Sequence, residues 1–185
     1  MNREIFIRDI EIDDLLEYKK MIQPDREYHK FNGPYYSHMN ETEIDLYIIE
    51  IARKISDGEQ PLLNKKMIVD KNNNNLIGQV NWYWKSEETK WLEIGIIIFN
   101  EKYWGTGIGY IALPMWIDEI FASFPKIIRI GLSTWSGNHR MIKLAEKIGL
   151  KKEAEYKQAR IIEGIYYDSL SYGILKENWS SFRSY

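Results

Sequence analysis

At 185 residues the chain is long enough to bury one sizeable core, and it is read as a single domain over 1–185. With 44% apolar and 28% charged residues and a net charge of −2, it reads as an ordinary globule and gives no electrostatic reason to expect a nucleic-acid partner. The lack of cysteine excludes a thiolate nucleophile, a disulfide framework and a Cys-ligated zinc site.

In chain order, Asn2 to Arg8 sets Ile5 and Ile7 against polar neighbours and predicts an edge or hairpin strand. The same N-terminus has no signal-type apolar run, and no stretch approaches the roughly 18–20 apolar residues of a membrane span, so a cytoplasmic protein with no membrane partner is expected. A short helix follows over Asp13 to Ile22 and is stopped by Pro24. Pro24 to Asn40, with Gly33-Pro34-Tyr35-Tyr36, lacks periodicity and is expected as an ordered aromatic loop. Thr42 is placed to cap a helix whose Ile44, Ile48, Ile51 and Ile55 recur at helical spacing before Asp57-Gly58 ends it.

Lys66 to Asp70 and Leu76 to Trp84 read as strands joined by Lys71-Asn72-Asn73-Asn74-Asn75, where asparagine tolerates the left-handed geometry of a hairpin. Trp91 to Phe99 is the next strand. A glycine loop, a helix over Tyr110 to Phe124 and a strand over Lys126 to Thr134 follow, a succession that implies a parallel crossover. Met141, Leu144, Ala145 and Ile148 share one helical face, with Asn138 near the start and Gly149 as the stop. Lys152 to Ile162 and Ile165 to Leu175 flank Glu163-Gly164 as a last hairpin. The three histidines, His29, His38 and His139, show no paired spacing with a carboxylate, so no metal is expected.

The segment that carries chemistry is Trp91 to Gly109, WLEIGIIIFNEKYWGTGIG. Gly105, Gly107 and Gly109 let the backbone approach an anion and adopt positive φ, and the helix that follows aims its free N–H groups at the same point, so a phosphate is expected there. Gly109-Tyr110-Ile111 lacks the Lys-Ser/Thr of a Walker loop. The spacing G-x-G-x-G, with Arg129 about twenty residues on where an acid would stand, departs from the dinucleotide fingerprint.

These residues resemble the GNAT superfamily of N-acetyltransferases, in its RimJ/RimL-like branch. That family's pyrophosphate loop, Q/R-x-x-G-x-G/A, maps onto Trp104-Gly105-Thr106-Gly107-Ile108-Gly109, with Trp104 in the place of Gln or Arg. Three blocks match in order: Glu93-Ile94-Gly95, Trp135-Ser136-Gly137-Asn138 through Glu146-Lys147-Ile148-Gly149-Leu150, and Gly164 to Asp168 through Tyr172-Gly173-Ile174-Leu175. The resemblance implies an α/β fold with a central mixed sheet of about six to seven strands flanked by about four helices. It further implies that the strand ending near Ile98 splays from its neighbour, and that the pantetheine arm of acetyl-CoA lies in the opening.

The resemblance also implies an acetyl group passed directly to a primary amine in a ternary complex. The acceptor is either a protein N-terminal amine of ribosomal-protein type or a small amine or amino acid; a non-catalytic acyl-CoA-binding domain is the alternative. Backbone groups of Ile96, Ile97 and Ile98 would hold pantetheine. N–H groups of Gly105, Thr106, Gly107, Ile108 and Gly109 would hold the pyrophosphate, Trp104 would either cover the adenine or pantetheine or pack under the loop, and Asn138 would either bond the pantetheine arm or cap the following helix. Arg140 and Lys143 are either 3′-phosphate contacts or solvated charges.

Transfer needs a base, an oxyanion site and an acid for the leaving thiolate. Strand alternation puts Leu92, Ile94, Ile96 and Ile98 on one face and Glu93, Gly95 and Ile97 on the other, so Glu93 is expected as a carboxylate among apolar neighbours. It is either the base or a structural glutamate. Ala145 and Met141 replace a tyrosine and a serine that serve as proton donors in the family, which leaves Tyr172 or Tyr167 as a donor, or both as sheet packing. Tyr35, Trp82 and Trp135, with Tyr36 and Trp84, either line an acceptor pocket or pack internally. The aromatic final hairpin suits a homodimer.

Overall fold

A computed structural model describes residues 4–183; Asn2 and Arg3 of the expected first strand lie outside it. The seven strands form one mixed sheet in the order β1-β2-β3-β4-β5-β7-β6. Two compact units are present, one of Met1–Asn81 with Ile96–Ile108 and one of Trp82–Gly95 with Gly109–Tyr185.

In the first unit, β1 (Ile5–Arg8) pairs antiparallel with β2 (Lys65–Asp70), Ile5 opposite Asp70. β2 pairs antiparallel with β3 (Leu76–Ser86), Lys65 opposite Asn81. Asn74 takes φ +58 in the turn between them, as the asparagine run leads one to expect. The expected first helix is divided into a 3-10 turn, Ile12–Asp14, and α1 (Leu15–Met21). The aromatic loop after it contains a further 3-10 turn at Glu27–Lys30.

The helix α2 (Glu41–Ser56) corrects one expectation, because its cap is Asn40 and not Thr42. Asn40 Oδ1 accepts from Glu43 N–H at 3.0 Å and Glu43 Oε2 accepts from Asn40 N–H at 2.8 Å, a reciprocal pair that satisfies two otherwise orphaned donors. Ile44 and Ile51 of α2 are fully buried with Tyr18, Met67, Val69 and Phe99 in one core cluster. Inside that core the Tyr18 hydroxyl donates to Gln79 Oε1 at 2.9 Å, so the buried amide oxygen is satisfied.

β4 (Trp91–Ile98), whose residues Trp91–Gly95 belong to the second unit, pairs parallel there with β5 (Arg129–Trp135), with Leu92 opposite Ile130 and Glu93 opposite Gly131. The crossover is made through α3 (Ile108–Ser123), as the succession strand, helix, strand requires. β5 pairs antiparallel with β7 (Ile165–Leu175), and β7 with β6 (Lys151–Ile162). Glu163 and Gly164 both take positive φ, +51 and +79, the geometry of a tight hairpin turn. α4 (His139–Lys147) lies between β5 and β6, and Gly149 ends it at φ +89.

A fifth helix, α5 (Lys176–Arg183), was not anticipated. Trp179 is buried and its indole N–H donates to Asp118 Oδ1 of α3 at 2.7 Å, which docks α5 despite its short length. No described helix is long and apolar enough to cross a membrane.

Candidate functional site

The glycine loop is built on a 3-10 turn, Glu101–Tyr103, capped by Asn100, whose Oδ1 accepts from Lys102 N–H at 3.0 Å. Gly105 and Gly107 take φ +71 and +91, values that L side chains avoid, and nothing lies within 4 Å of where a Cβ would stand on either. The Thr106 hydroxyl donates to the Tyr103 carbonyl at 2.7 Å and so braces the loop from within. α3 begins at Ile108, which is buried and fixes the helix entry. Its first turn carries no acidic side chain, so its unsatisfied N–H groups face no competing carboxylate there.

Trp104 has a structural task. Its indole N–H donates to the Ile98 carbonyl at 2.8 Å and its ring meets Phe31 edge-on at 5.6 Å, so it packs against the end of β4. Phe99 N–H donates to the Ile77 carbonyl at 3.0 Å, which turns Phe99 toward β3. A Cβ on Gly78 of β3 would collide with the Ile97 carbonyl oxygen, so Ile97 faces β3 as well. By strand alternation the polar backbone groups of Ile96 and Ile98 point away from β3, and Ile97 is committed to it.

Glu93 is almost wholly buried, and its surroundings correct the expectation of apolar neighbours. Its Oε2 accepts from the Tyr83 hydroxyl, and its Oε1 accepts from Lys85 Nζ at 3.0 Å. The ammonium of Lys85 also lies over the Trp91 ring at 5.3 Å, and the Arg129 guanidinium lies over the same ring at 5.2 Å. Space for the carboxylate comes from Gly131, opposite Glu93 in the parallel register: a Cβ there would stand 3.1 Å from Glu93 Cγ and 3.3 Å from Trp91 Nε1. Tyr83 and Lys85 escaped the sequence reading. Tyr83 and Lys85 stand two residues apart and so share one face of β3, and that was the signal available.

Tyr172 on β7 is buried, and its hydroxyl donates to Glu146 Oε1 of α4 at 3.2 Å. Burial first, then the Glu146 carboxylate, pushes the phenol up to about 12. Asn138 caps α4, its Oδ1 accepting from Met141 N–H at 3.1 Å. Arg140 and Lys143 are exposed. Ala145, where the family places a tyrosine, is completely buried.

The aromatic residues are packed in distinct ways. Tyr35 is half-buried against Tyr36 at 4.8 Å. Trp82 meets Trp84 at 5.6 Å and Phe124 at 5.0 Å. Trp135 is buried beside Tyr167 at 4.8 Å, and its ring occupies the space a Cβ on Gly137 would need. No group of three or more metal-ligating side chains occurs among the described residues.

A family model for the acetyltransferase (GNAT) domain matches residues 4–151. A SPbeta prophage-derived N-acetyltransferase, YokL, from Bacillus subtilis (strain 168) is 23% identical over 114 residues, 62% of this chain. The match spans 63% of that relative, less than two thirds of its length. Among solved structures, a GNAT-family acetyltransferase from Bacillus anthracis superposes with a TM-score of 0.73 at 22% identity, covering 96% of this chain and 98% of the other. The spermidine N-acetyltransferase of Vibrio cholerae in complex with CoA and spermine gives 0.73 at 20% identity, covering 95% and 98%. At these identities the structures share the fold.

Proposed function

Because the chain belongs to the GNAT acetyltransferase family, we propose that it transfers the acetyl group of acetyl-CoA to a primary amine, and that both units serve one catalytic domain. The family match runs through segments of both units, which supports the second part. The observation that carries the first is the loop Gly105–Gly107, two positive-φ glycines with open space over them directly before a helix N-terminus free of acidic side chains. Such a loop suits the pyrophosphate of coenzyme A, and the outward-turned backbone of Ile96 together with the Ile98 N–H suits the amides of its pantetheine arm, the Ile98 carbonyl being taken by Trp104.

The thioester supplies an activated acyl carbon when bound. The residues of the chain supply the proton handling. Glu93 is assigned as the acceptor of the amine's proton, held in place by Tyr83 and Lys85. Tyr172 is assigned as the proton donor to the leaving thiolate. Its raised pKa keeps the hydroxyl protonated at neutral pH. The same proposal gives Asn138 the cap of α4 as its first task, and makes Tyr35, Trp82 and Trp135 apolar walls near the acceptor. The acceptor is proposed to be a protein N-terminal amine of the RimJ/RimL type. The spermidine acetyltransferase among the structural neighbours favours a small polyamine as the second reading. Exposed Tyr156, Ile161, Ile165 and Tyr166 on the final hairpin support a homodimer.

A thiol-release screen over N-terminal peptides, polyamines and amino acids, run beside calorimetry with coenzyme A, tests the proposal. Turnover with at least one amine class is expected. A Gly107→Ala chain should bind coenzyme A more weakly, since alanine is strained at φ +91. Tight binding of coenzyme A with no acceptor turned over would leave a binding domain instead of an enzyme.

A further inference from the structure

The carboxylate assigned to take the acceptor's proton already holds an amine. Lys85 Nζ is 3.0 Å from Glu93 Oε1, its ammonium rests over the Trp91 ring, and its side chain is 41% exposed while that of Glu93 is 2% exposed. Lys85 therefore lies at the rim with its head group directed inward. A general base must be within hydrogen-bond reach of the proton it removes, and Lys85 meets that condition as the structure stands. Its nitrogen is a primary amine on an unbranched stem, the same functional group as an external acceptor. The partners of the other cation at this indole differ: Arg129 is ion-paired to Glu153, and a guanidinium is not deprotonated in proteins.

We infer that Lys85 is an internal acceptor, acetylated in cis by the chain's own site when acetyl-CoA is bound and no external amine competes. The inference rests on the assignment of Glu93 as the base. In the step, the Lys85 ammonium gives one proton to Glu93 and the neutral Nζ attacks the thioester carbonyl carbon. The N–C bond forms, the C–S bond breaks, and the electron pair leaves on sulfur. A second proton from nitrogen goes to the thiolate, which departs as the thiol, and the product amide keeps one N–H.

The product changes the site. Acetyl-lysine carries no charge, so once Glu93 has passed the proton it gained to solvent, its buried carboxylate has no counter-ion and keeps the Tyr83 hydroxyl. A buried carboxylate in that condition favours any cation that can reach it, and an external ammonium is one. Self-acetylation would thus exchange the resident cation for an acceptor.

The test uses the full chain with acetyl-CoA and no added amine, followed by intact mass and peptide mapping. One acetyl group on Lys85 is expected, at a rate unchanged on diluting the protein. It should form about 100-fold faster than on exposed Lys90 or Lys157, the scale of a general-base contribution. In Glu93→Gln the Lys85 rate should fall to that of Lys157. In Lys85→Arg, which keeps a cation on Glu93, the position should stay unmodified and the melting temperature close to the parent's. A Lys85 rate equal to that of Lys157, or one that rises with protein concentration, overturns the inference. Should Glu93→Gln fail to fold, the dilution series and the Lys85-to-Lys157 ratio decide. External amines acetylated beside an unmodified Lys85 would refute self-acetylation and leave the base in place. Neither acetylated, in a chain that binds coenzyme A, would remove the catalytic reading as well.

Discussion

Removing either partner of the Lys85–Glu93 pair should have unequal cost, because water reaches only one of them. The carboxylate is 2% exposed and the lysine 41%. Lys85→Met keeps the apolar stem but strands a buried negative charge with the Tyr83 hydroxyl as its remaining neutral donor. Breaking a fully buried pair costs about 3–5 kcal/mol; with half of this one in solvent, a loss of about 2–3 kcal/mol is expected. Glu93→Gln preserves the shape and an acceptor for Tyr83, and the released ammonium can turn to water, so about 1 kcal/mol should be lost. The double variant should lose less than Lys85→Met alone, which makes the coupling about 1–2 kcal/mol. Urea unfolding followed by circular dichroism and tryptophan fluorescence measures all four corners of the cycle. If Glu93→Gln costs as much as Lys85→Met, or if the two losses simply add, the carboxylate is not held by the lysine in solution and the account of the site fails.

Gly78→Ala should cost about 3 kcal/mol, lowering the melting temperature by about 6–12 °C, since the new methyl meets backbone and not a movable side chain; an unchanged melt would show that β3 and Ile97 are not so close. His29 is held below its ordinary 6.5 by burial, then by His38, whose tilted ring lies 3.9 Å away, while the Gln23 carbonyl and Asp25 pull the other way. Its protonation is penalised only in the folded chain, so the stability tied to neutral His29 is complete above that value and lost as pH falls through it and below. Melting curves at descending pH should show this slope in the parent and a shallower one in His29→Gln. Tyr172→Phe should cost about 1 kcal/mol through the lost bond to Glu146 and lower kcat about 100-fold with coenzyme A affinity kept; an unaltered kcat would reduce Tyr172 to packing.

The fold was legible where periodicity and glycine agree. The final hairpin, the crossover through α3 and the stop of α4 at Gly149 came from patterns that local sterics enforce, and the structure places them within a few residues of expectation. The cap of α2 was misjudged by two residues because Asn40 and Thr42 are both capping residues, and only the reciprocal bond to Glu43 separates them. α5 was missed because a short, polar helix has little propensity of its own and depends on Trp179 finding Asp118. At the candidate site, Glu93 stood out by being acidic in an apolar run. Its partners did not, since Tyr83 and Lys85 look like ordinary outward residues of an alternating strand until the neighbouring strand is laid beside them.

The outer strand of the sheet has a bearing on how the protein behaves in a crowded solution. β6 is terminal in the strand order, yet its ladder to β7 slips between Tyr156 and Arg160, where Gln158 adopts φ +54 and its N–H turns back to Asp168. The kink, next to the ammonium of Lys157, denies an incoming copy the straight row of donors and acceptors that fibre growth requires. Deleting Gln158 and Ala159 together would set Lys157 opposite Asp168 and straighten that rim, and the predicted penalty is colloidal: precipitation at concentrations where the parent stays dispersed.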